Sequence, residues 1–159
     1  DLLTLRKENA VVQKIIPDVI SNQKLQTLDP DASVKAAASL MGSNRISAIL
    51  VLKNDRLIGI VTERDMTAKV LANGLDPEAT KISEVMTPNP DCLSPNDSPN
   101  SALQIMSERG YRHLPVLDGE EAVGMVSIRD LYAYVKSNLE EDVRQRDAFM
   151  FESGYGAGN

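Results

Sequence analysis

Two short segments of the chain place a hydroxyl side chain and a carboxylate where an apolar run gives way to a polar one. They read GIVTERDM and GMVSIRDL, with Thr62 or Ser127 followed three residues later by Asp65 or Asp130. The first N–H groups of a helix lack intrahelical partners and carry partial positive charge, so they suit a phosphate. A carboxylate can accept two hydrogen bonds from a vicinal diol. These are the groups that a ribonucleotide requires.

The same spacing has a second interpretation, because a helix also caps itself in this way. A Ser or Thr followed three residues later by an acidic residue forms a capping box. For a single copy, capping is the simpler interpretation. The residues alone leave both interpretations open, and the longer repeat described next favours a ligand site.

A shift of 65 residues superimposes much of the chain on itself without a gap. On the order of forty residues recur in one register, which indicates two copies of one supersecondary unit. Two copies favour a closed pair related by a pseudo-twofold axis. Matching pairs are Leu28 and Leu93, Pro30 and Pro95, Ser33 and Ser98, Ala37 and Ala102, Met41 and Met106, Gly59 and Gly124, and Arg64 and Arg129.

Hydrophobic periodicity predicts the order β-α-β-β-α in each unit and therefore an α/β (α+β) fold. We expect a lead-in helix in residues 1–21, a first repeat in 22–80, a second repeat in 81–139, and a helix extension with a flexible tail in 140–159. In the first unit the predicted strands are 26–28, 48–53 and 57–62, and the helices are 33–43 and 63–73. In the second unit the strands are 92–93, 114–117 and 122–127, and the helices are 98–109 and one from 128 onward.

The flanking segments lie outside this repeat. Residues 6–20 carry apolar side chains at three- and four-residue spacing, which predicts an amphipathic helix interrupted near Pro17. A short helix is expected at 82–86 in the connection between the units. The final residues, 152–159, are small and glycine-rich, so we expect them to be disordered or to dock onto a partner.

Composition and charge exclude several classes of protein. A net charge of −6 and a pI near 4.8 make a nucleic-acid phosphate backbone a poor partner. The chain contains no apolar run of about eighteen residues, so we expect no membrane span. The lone cysteine, Cys92, cannot form an internal disulfide. We expect a cytoplasmic protein, or one of an organelle matrix if a targeting segment has been removed.

The doubled unit resembles a known family. GIVTERDM, GMVSIRDL, HLPVLD at residues 113–118 and SEVMTPNP at 83–90 are similar to the motifs of tandem cystathionine β-synthase-type (CBS) domains, together called a Bateman module. The resemblance covers about residues 16–139 and is that of a stand-alone CBS pair. It implies binding of an adenosyl ligand in clefts between the units: AMP, ADP or ATP most often, NADH or S-adenosylmethionine in some members.

The resemblance also implies a set of ligand contacts. Asp65 and Asp130 would each hold a ribose diol, with Thr62 and Ser127 at the ribose-phosphate end. Each cleft would take its aspartate from one unit and part of its base pocket from the other. The expected base pockets are Ile46, Ser47 and Ala48 in the first unit and Tyr111, Arg112 and His113 in the second, with Thr87 and Pro90 on one wall.

The two clefts differ in their expected chemistry. Arg112 and His113 belong to the Asp65 cleft, whereas the matching residues of the first unit are small and neutral. Phosphate recognition needs cationic donors, and Arg64, Arg112, His113 and Arg129 are the candidates. AMP is expected ahead of ATP, because this set does not form a triphosphate clamp with a metal site.

Three classes of function follow. The first is a regulatory module that binds an adenine nucleotide and transmits a shape change to an unidentified partner protein. The second is a structural or interaction protein whose clefts hold no ligand. The third, an enzyme, is not expected, because the sequence offers no nucleophile–base pair, metal cluster or catalytic cofactor motif. We also expect a homodimer that buries the small-residue helix faces at 36–41 and 102–106 and the extension at 132–151.

Overall fold

The computed structural model describes the backbone of residues 12–155 and the side chains of residues 12–150. It contains two units with the same order of elements. The first unit holds β1 (Thr27–Leu28), α1 (Val34–Asn44), β2 (Ala48–Lys53), β3 (Arg56–Thr62) and α2 (Glu63–Asp65, continued by a wider turn at Met66–Leu71). The connection holds a 3-10 turn (Ile82–Glu84) and β4 (Thr87–Pro88), and the second unit holds α3 (Pro99–Arg109), β5 (His113–Asp118), β6 (Glu121–Ser127) and α4 (Ile128–Tyr155).

The first unit is built on a sheet with the strand order β1-β2-β3-β4. β1 runs parallel to β2, while β2 and β3 form an antiparallel hairpin. The hairpin turns at Asn54 and Asp55, whose positive φ angles of 51° and 61° match the twist of the flanking strands. The connection between the units supplies β4, which pairs with β3 at Gly59 and Ile60.

The second unit has an equivalent sheet, except that a side chain takes the place of the fourth strand. β5 and β6 form the equivalent hairpin, and Leu93 pairs with Val116 as a single parallel bridge. In the position of a fourth strand, the side-chain amide of Gln23 donates to the Met125 carbonyl oxygen at 3.0 Å and accepts from the Met125 N–H at 2.7 Å. A glutamine side chain therefore forms the hydrogen bonds that a neighbouring strand would form with Met125 at the edge of this sheet.

Matching caps fix the helix ends. The Ser33 side chain accepts from the Ala36 N–H at 3.0 Å, and the Ser98 side chain accepts from the Ser101 N–H at 3.1 Å. α3 ends at Gly110, whose φ of 72° places it in the left-handed region that glycine adopts without strain. The predicted helices at 33–43 and 98–109 are confirmed.

The conformation of the lead-in segment differs from the predicted helix. Residues 15–19 form a single wide turn, with Ile16 at a non-helical φ of −115° and extended backbone at Lys14 and Ile20, so this part is not the predicted amphipathic helix. Its apolar residues do not form a helical stripe, because Ile15 and Ile20 fill the core of the second unit. The part of the predicted helix before residue 12 lies outside the described residues.

A repeat that the shift of 65 residues does not reveal explains this placement. The segment KIIPDVI at 14–20 matches KISEVM at 81–86 when Pro17 is treated as an insertion. The Lys14 N–H donates to the Asp18 carboxylate, and the Lys81 N–H donates to the Glu84 carboxylate, both at 2.7 Å. Each segment therefore completes the core of one unit, the connection that of the first and the lead-in that of the second.

A third apolar cluster joins the two sheets. Ala48, Leu50 and Ile60 of the first sheet pack with Ala122 and Met125 of β6. The strand ends of both units are thereby held beside one another, and the candidate site forms at these ends.

The two helix faces that were expected to form a dimer surface are used inside the units. Ala37 and Met41 on α1, and Ala102 and Met106 on α3, are at most 4% exposed and pack in their own cores. These four side chains are therefore not available for a dimer contact, whereas Ala36, Leu40 and Leu103 on the same helices are only partly buried. The C-terminal end also differs from expectation, because α4 continues through residues 152–155, and residues 156–159 lie outside the described part.

Candidate ligand-binding cleft

A cavity of about 650 Å³ opens where the start of α2 faces the segment that leads into β5. The first unit, the connection and the second unit each contribute to its walls. Its volume lies in the range of about 300–1,000 Å³ that is typical of small-molecule sites. The lining residues are Ser47, Ile60, Thr62, Glu63, Arg64, Asp65, Thr87, Pro90, Asp91, Arg109, Gly110, Tyr111, Arg112, His113 and Leu114.

Asp65 is held by its own helix start. Its carboxylate accepts hydrogen bonds from the Thr62 N–H at 2.9 Å and from the Thr62 hydroxyl at 3.2 Å. The Asp65 N–H in turn approaches the Thr62 Oγ1 at 3.3 Å, which completes a capping box. The capping interpretation of the motif is thus realised at this position, with the Asp65 side chain buried at the cavity wall.

A cation also contacts the Asp65 carboxylate. Lys69 Nζ lies 3.0 Å from Asp65 Oδ1 and donates to the Val85 carbonyl oxygen at 2.8 Å. A carboxylate offers about four acceptor positions, and Thr62 and Lys69 use three of them. Asp65 therefore retains acceptor capacity for a ligand, and Lys69 connects it to the segment between the units.

Asp130 has a simpler environment. Its carboxylate accepts from the Ser127 N–H at 2.8 Å, and its own N–H donates to the Ser127 Oγ at 3.1 Å. Within the described residues it forms no ion pair, because Tyr134 stands where the first unit has Lys69. The two aspartates therefore differ in charge environment, although their caps are alike.

His113 joins the two units beside the cavity. Its Nε2 lies 2.9 Å from the Ser47 hydroxyl, so the starts of β5 and β2 are hydrogen-bonded through side chains. Burial lowers the pKa of His113, and the carboxylates of Asp130 and Glu63 act in the opposite direction. The ring is therefore neutral at pH 7 and acts as a hydrogen-bonding wall.

Three arginines line the cavity, and they are not equivalent. Arg109 Nη1 lies 2.8 Å from Asp91 Oδ2 and so already has a carboxylate partner. The guanidinium groups of Arg64 and Arg112 form no ion pair within residues 12–150, and both side chains are exposed at the mouth. These two arginines present unneutralised donors to an anion that enters the cavity.

The structure brings together the predicted residues of the Asp65 cleft and leaves the others elsewhere. Thr62, Arg64, Asp65, Thr87, Pro90, Tyr111, Arg112 and His113 share the cavity, whereas Ile46, Ala48, Ser127, Arg129 and Asp130 do not line it. Ser47, which was expected in the Asp130 cleft, lines this cavity as well. Ala48 is 1% exposed and pairs with Thr62 in the sheet, so its side chain is part of the core.

Sequence reasoning missed Asp91 and Arg109 in the wall. No spacing connects these residues, since they meet only when α3 folds back over the connection. A basic residue in the last turn before Gly110 is the single sequence signal for Arg109, and helix ends carry such residues for reasons unrelated to ligands.

The described residues give little support for a metal site or for a nucleophilic cysteine. Within residues 12–150, no group of three or more His, Cys, Asp or Glu side chains is arranged to hold a metal ion. Burial, together with Asp91, raises the pKa of the Cys92 thiol, whose Sγ donates to the Pro90 carbonyl oxygen at 3.2 Å. A protonated, hydrogen-bonded thiol is a poor nucleophile.

No helix in the described part is long and apolar enough to span a bilayer.

The sequence of this chain is similar to those of known proteins. The CBS domain profile matches residues 16–72 and 82–137. A CBS domain-containing protein of Arabidopsis thaliana, CBSCBSPB2, is 33% identical over 140 residues, which cover 86% of this chain and 26% of that protein. The chain thus spans about a quarter of the length of this relative.

Solved structures give the same result. A putative signal-transduction protein with CBS domains from Burkholderia ambifaria superimposes with a TM-score of 0.73 at 33% identity, covering 77% of this chain and 93% of that one. The CBS domain protein PAE2072 from Pyrobaculum aerophilum, solved in complex with AMP, has a TM-score of 0.64 at 24% identity, covering 69% of this chain and 85% of that one. The doubled unit, the profile matches and these neighbours together place this chain in the CBS-domain family, with two CBS domains in tandem.

Proposed function

We propose that this chain is a regulatory module that binds an adenine nucleotide, AMP foremost, in the Asp65 cleft and transmits the binding to a partner protein. The observation that carries the proposal is the meeting, in one cavity, of the Asp65 carboxylate with Arg64 and Arg112, two arginines that have no carboxylate partner among residues 12–150. The first suits a ribose diol and the second a phosphate. The complex of PAE2072 with AMP gives a precedent for this ligand within the fold.

The charged groups of the cavity favour AMP over longer nucleotides. Two exposed arginines match one phosphate group, whereas a triphosphate normally brings a metal ion that carboxylates must share. Tyr111, 37% exposed at the mouth, offers an aromatic face to the base. Thr87 and Pro90 also line the cavity. ADP, ATP, NADH and S-adenosylmethionine are the alternative ligands.

Lys69 provides a route for transmission. It bridges the Asp65 carboxylate and the Val85 carbonyl oxygen, and Val85 lies in the core of the first unit just before β4. A diol on Asp65 competes with Lys69 for the same oxygen, so binding shifts the position of the lysine and of the connection. The connection is the segment that a partner would sense, and we propose that the module acts as a homodimer.

A second candidate function is an interaction module without a ligand. It is favoured by the caps at Asp65 and Asp130, because both carboxylates already serve their own helix starts. In that case the cavity is a gap between units, and its arginines serve solubility.

Calorimetric titration distinguishes the two functions. The native chain is titrated with AMP, ADP, ATP, NADH and S-adenosylmethionine, and the Asp65→Ala variant with AMP. We expect AMP to bind most tightly and Asp65→Ala to weaken it by about tenfold or more. Lys35→Ala, an exposed change on α1 outside the cavity, is the control and leaves binding unchanged. Absence of binding by every compound in the millimolar range would support the second function.

A further inference from the structure

The cleft holds a third arginine that a carboxylate already engages. Arg109 Nη1 lies 2.8 Å from Asp91 Oδ2, and both residues line the cavity. Asp91 belongs to the connection and directly follows Pro90, whereas Arg109 is the last residue of α3. The ion pair therefore joins two walls of the cavity, and both of its members border the space that a ligand enters.

This ion pair contributes little to the stability of the fold. The side chains of Arg109 and Asp91 are 58% and 39% exposed. Ion pairs that water screens to this extent contribute little to the free energy of unfolding. The pair has a larger effect on the chemistry of the cleft, because it engages one of the three arginines that could donate to an anion.

The charges that line the cavity are balanced. Three acidic and three basic side chains border it, and His113 is neutral, so the cavity has no net charge at pH 7. A terminal phosphate carries about −1.5 to −2 charges, and each further phosphate group makes the ligand more negative. A balanced cavity gains no affinity from the added charge unless a free cationic donor receives it. The six side chains are Glu63, Asp65, Asp91, Arg64, Arg109 and Arg112.

We propose that Asp91 is a specificity-determining residue, which makes the cleft selective for a nucleoside monophosphate by engaging Arg109, the donor that a second phosphate requires. The inference rests on the proposed function and deepens it, because it assigns the choice between AMP and ADP to one ion pair. Arg64 and Arg112 serve the first phosphate. A second phosphate either displaces Asp91 from Arg109 or has no donor, and in both cases the Asp91 carboxylate repels it.

The Asp91→Asn variant tests the proposal, because it removes the charge that holds Arg109 with little change in the size of the side chain. The native chain and the variant are titrated by calorimetry with adenosine, AMP, ADP and ATP in buffer without divalent metal ions. We expect the variant to bind ADP and ATP about tenfold more tightly than the native chain, AMP less than about threefold more tightly, and adenosine equally well. Glu78→Gln is the matched control, because it removes the same charge at an exposed position outside the cavity and leaves all four affinities unchanged.

A double variant tests whether the gain comes from Arg109. Asp91→Asn combined with Arg109→Ala lacks both charges, so no donor is released and the native ratio of ADP to AMP affinity is expected to return. A ratio that stays high in the double variant overturns the assigned role of Arg109. A gain for adenosine as large as that for ADP in Asp91→Asn also overturns the proposal, because it shows that Asp91 shapes the pocket.

The outcomes separate this inference from the proposed function. A native chain that binds AMP, together with an unchanged ratio of ADP to AMP affinity in Asp91→Asn, overturns the inference and leaves the proposed function standing. A native chain that prefers ADP or ATP to AMP overturns the inference as well. A native chain that binds none of the four compounds overturns both.

Discussion

Replacement of Arg112 by alanine tests whether the cleft recognises a phosphate. Arg112 lines the cavity, is exposed, and has no carboxylate partner within residues 12–150. Its removal therefore takes away a donor to the ligand without leaving a buried protein charge unpaired. We expect the binding of AMP to weaken and that of adenosine to stay nearly constant, because only AMP carries the charge.

The magnitude follows from the exposure of the side chain. A hydrogen bond to a charged group contributes about 1.5–3 kcal/mol, which corresponds to roughly tenfold to 150-fold in affinity. Because Arg112 lies at the solvent-exposed mouth, where water screens the interaction, we expect a value near the lower end of this range. Adenosine affinity should change by less than about twofold.

The assay is isothermal titration of the native chain and the variant with AMP and with adenosine at one salt concentration. Arg109→Ala is the matched control, because Arg109 lines the same cavity but is already paired with Asp91 at 2.8 Å. Its loss should affect AMP less than the loss of Arg112 does. An equal loss of affinity for AMP and adenosine in Arg112→Ala would refute the reasoning, since it would show that Arg112 shapes the pocket or contacts the base.

Three further predictions concern the aspartates, the histidine and the lead-in segment. Asp65→Ala should weaken AMP at the described cavity by about tenfold or more, and Asp130→Ala should weaken it less; equal losses by calorimetry would contradict the inequality of the clefts. Burial lowers the pKa of His113, so its contribution to stability is fully present above its ordinary value of about 6.5 and is lost as pH falls below that value. Urea unfolding between about pH 7.5 and 5.5 should show this loss in the native chain and a smaller one in His113→Gln. Ile15→Ala should lower the free energy of unfolding by about 2–5 kcal/mol, because Ile15 is fully buried; a cost below about 1 kcal/mol would show that the lead-in segment is accessory.

Local sequence patterns were sufficient for much of the fold. The hairpins, the caps at Ser33 and Ser98, and the end of α3 at Gly110 each depend on residues within a few positions of one another. The Thr62 and Asp65 pair is local as well, so its spacing predicted both the helix start and the position of the carboxylate. Such interactions form whenever the backbone adopts the local conformation, and the sequence carries them directly.

The same locality explains where prediction from sequence was wrong. The lead-in segment has helical spacing, but Pro17 removes a backbone donor and the second core offers its isoleucines more burial than a helix would. Ala37 and Ala102 look suited to a dimer surface, but the side chains of these two residues lie within the cores of their own units. In both cases an apolar residue is buried against whichever surface the folded chain provides, and a sequence pattern does not name that surface.

By itself, then, the sequence determined that the chain consists of two related β-α-β-β-α units and that each carries a hydroxyl–aspartate motif at a helix start. Only the tertiary structure decided which charges at the cleft are available. Lys69 contacts Asp65, Asp91 neutralises Arg109, and Arg112 has no carboxylate partner in the described part of the chain, although the sequence presents these cations alike. The physical reason is that a charge is neutralised by the groups within a few ångströms of it, and apart from the one-turn contact of Lys69 with Asp65, those neighbours come from distant parts of the chain.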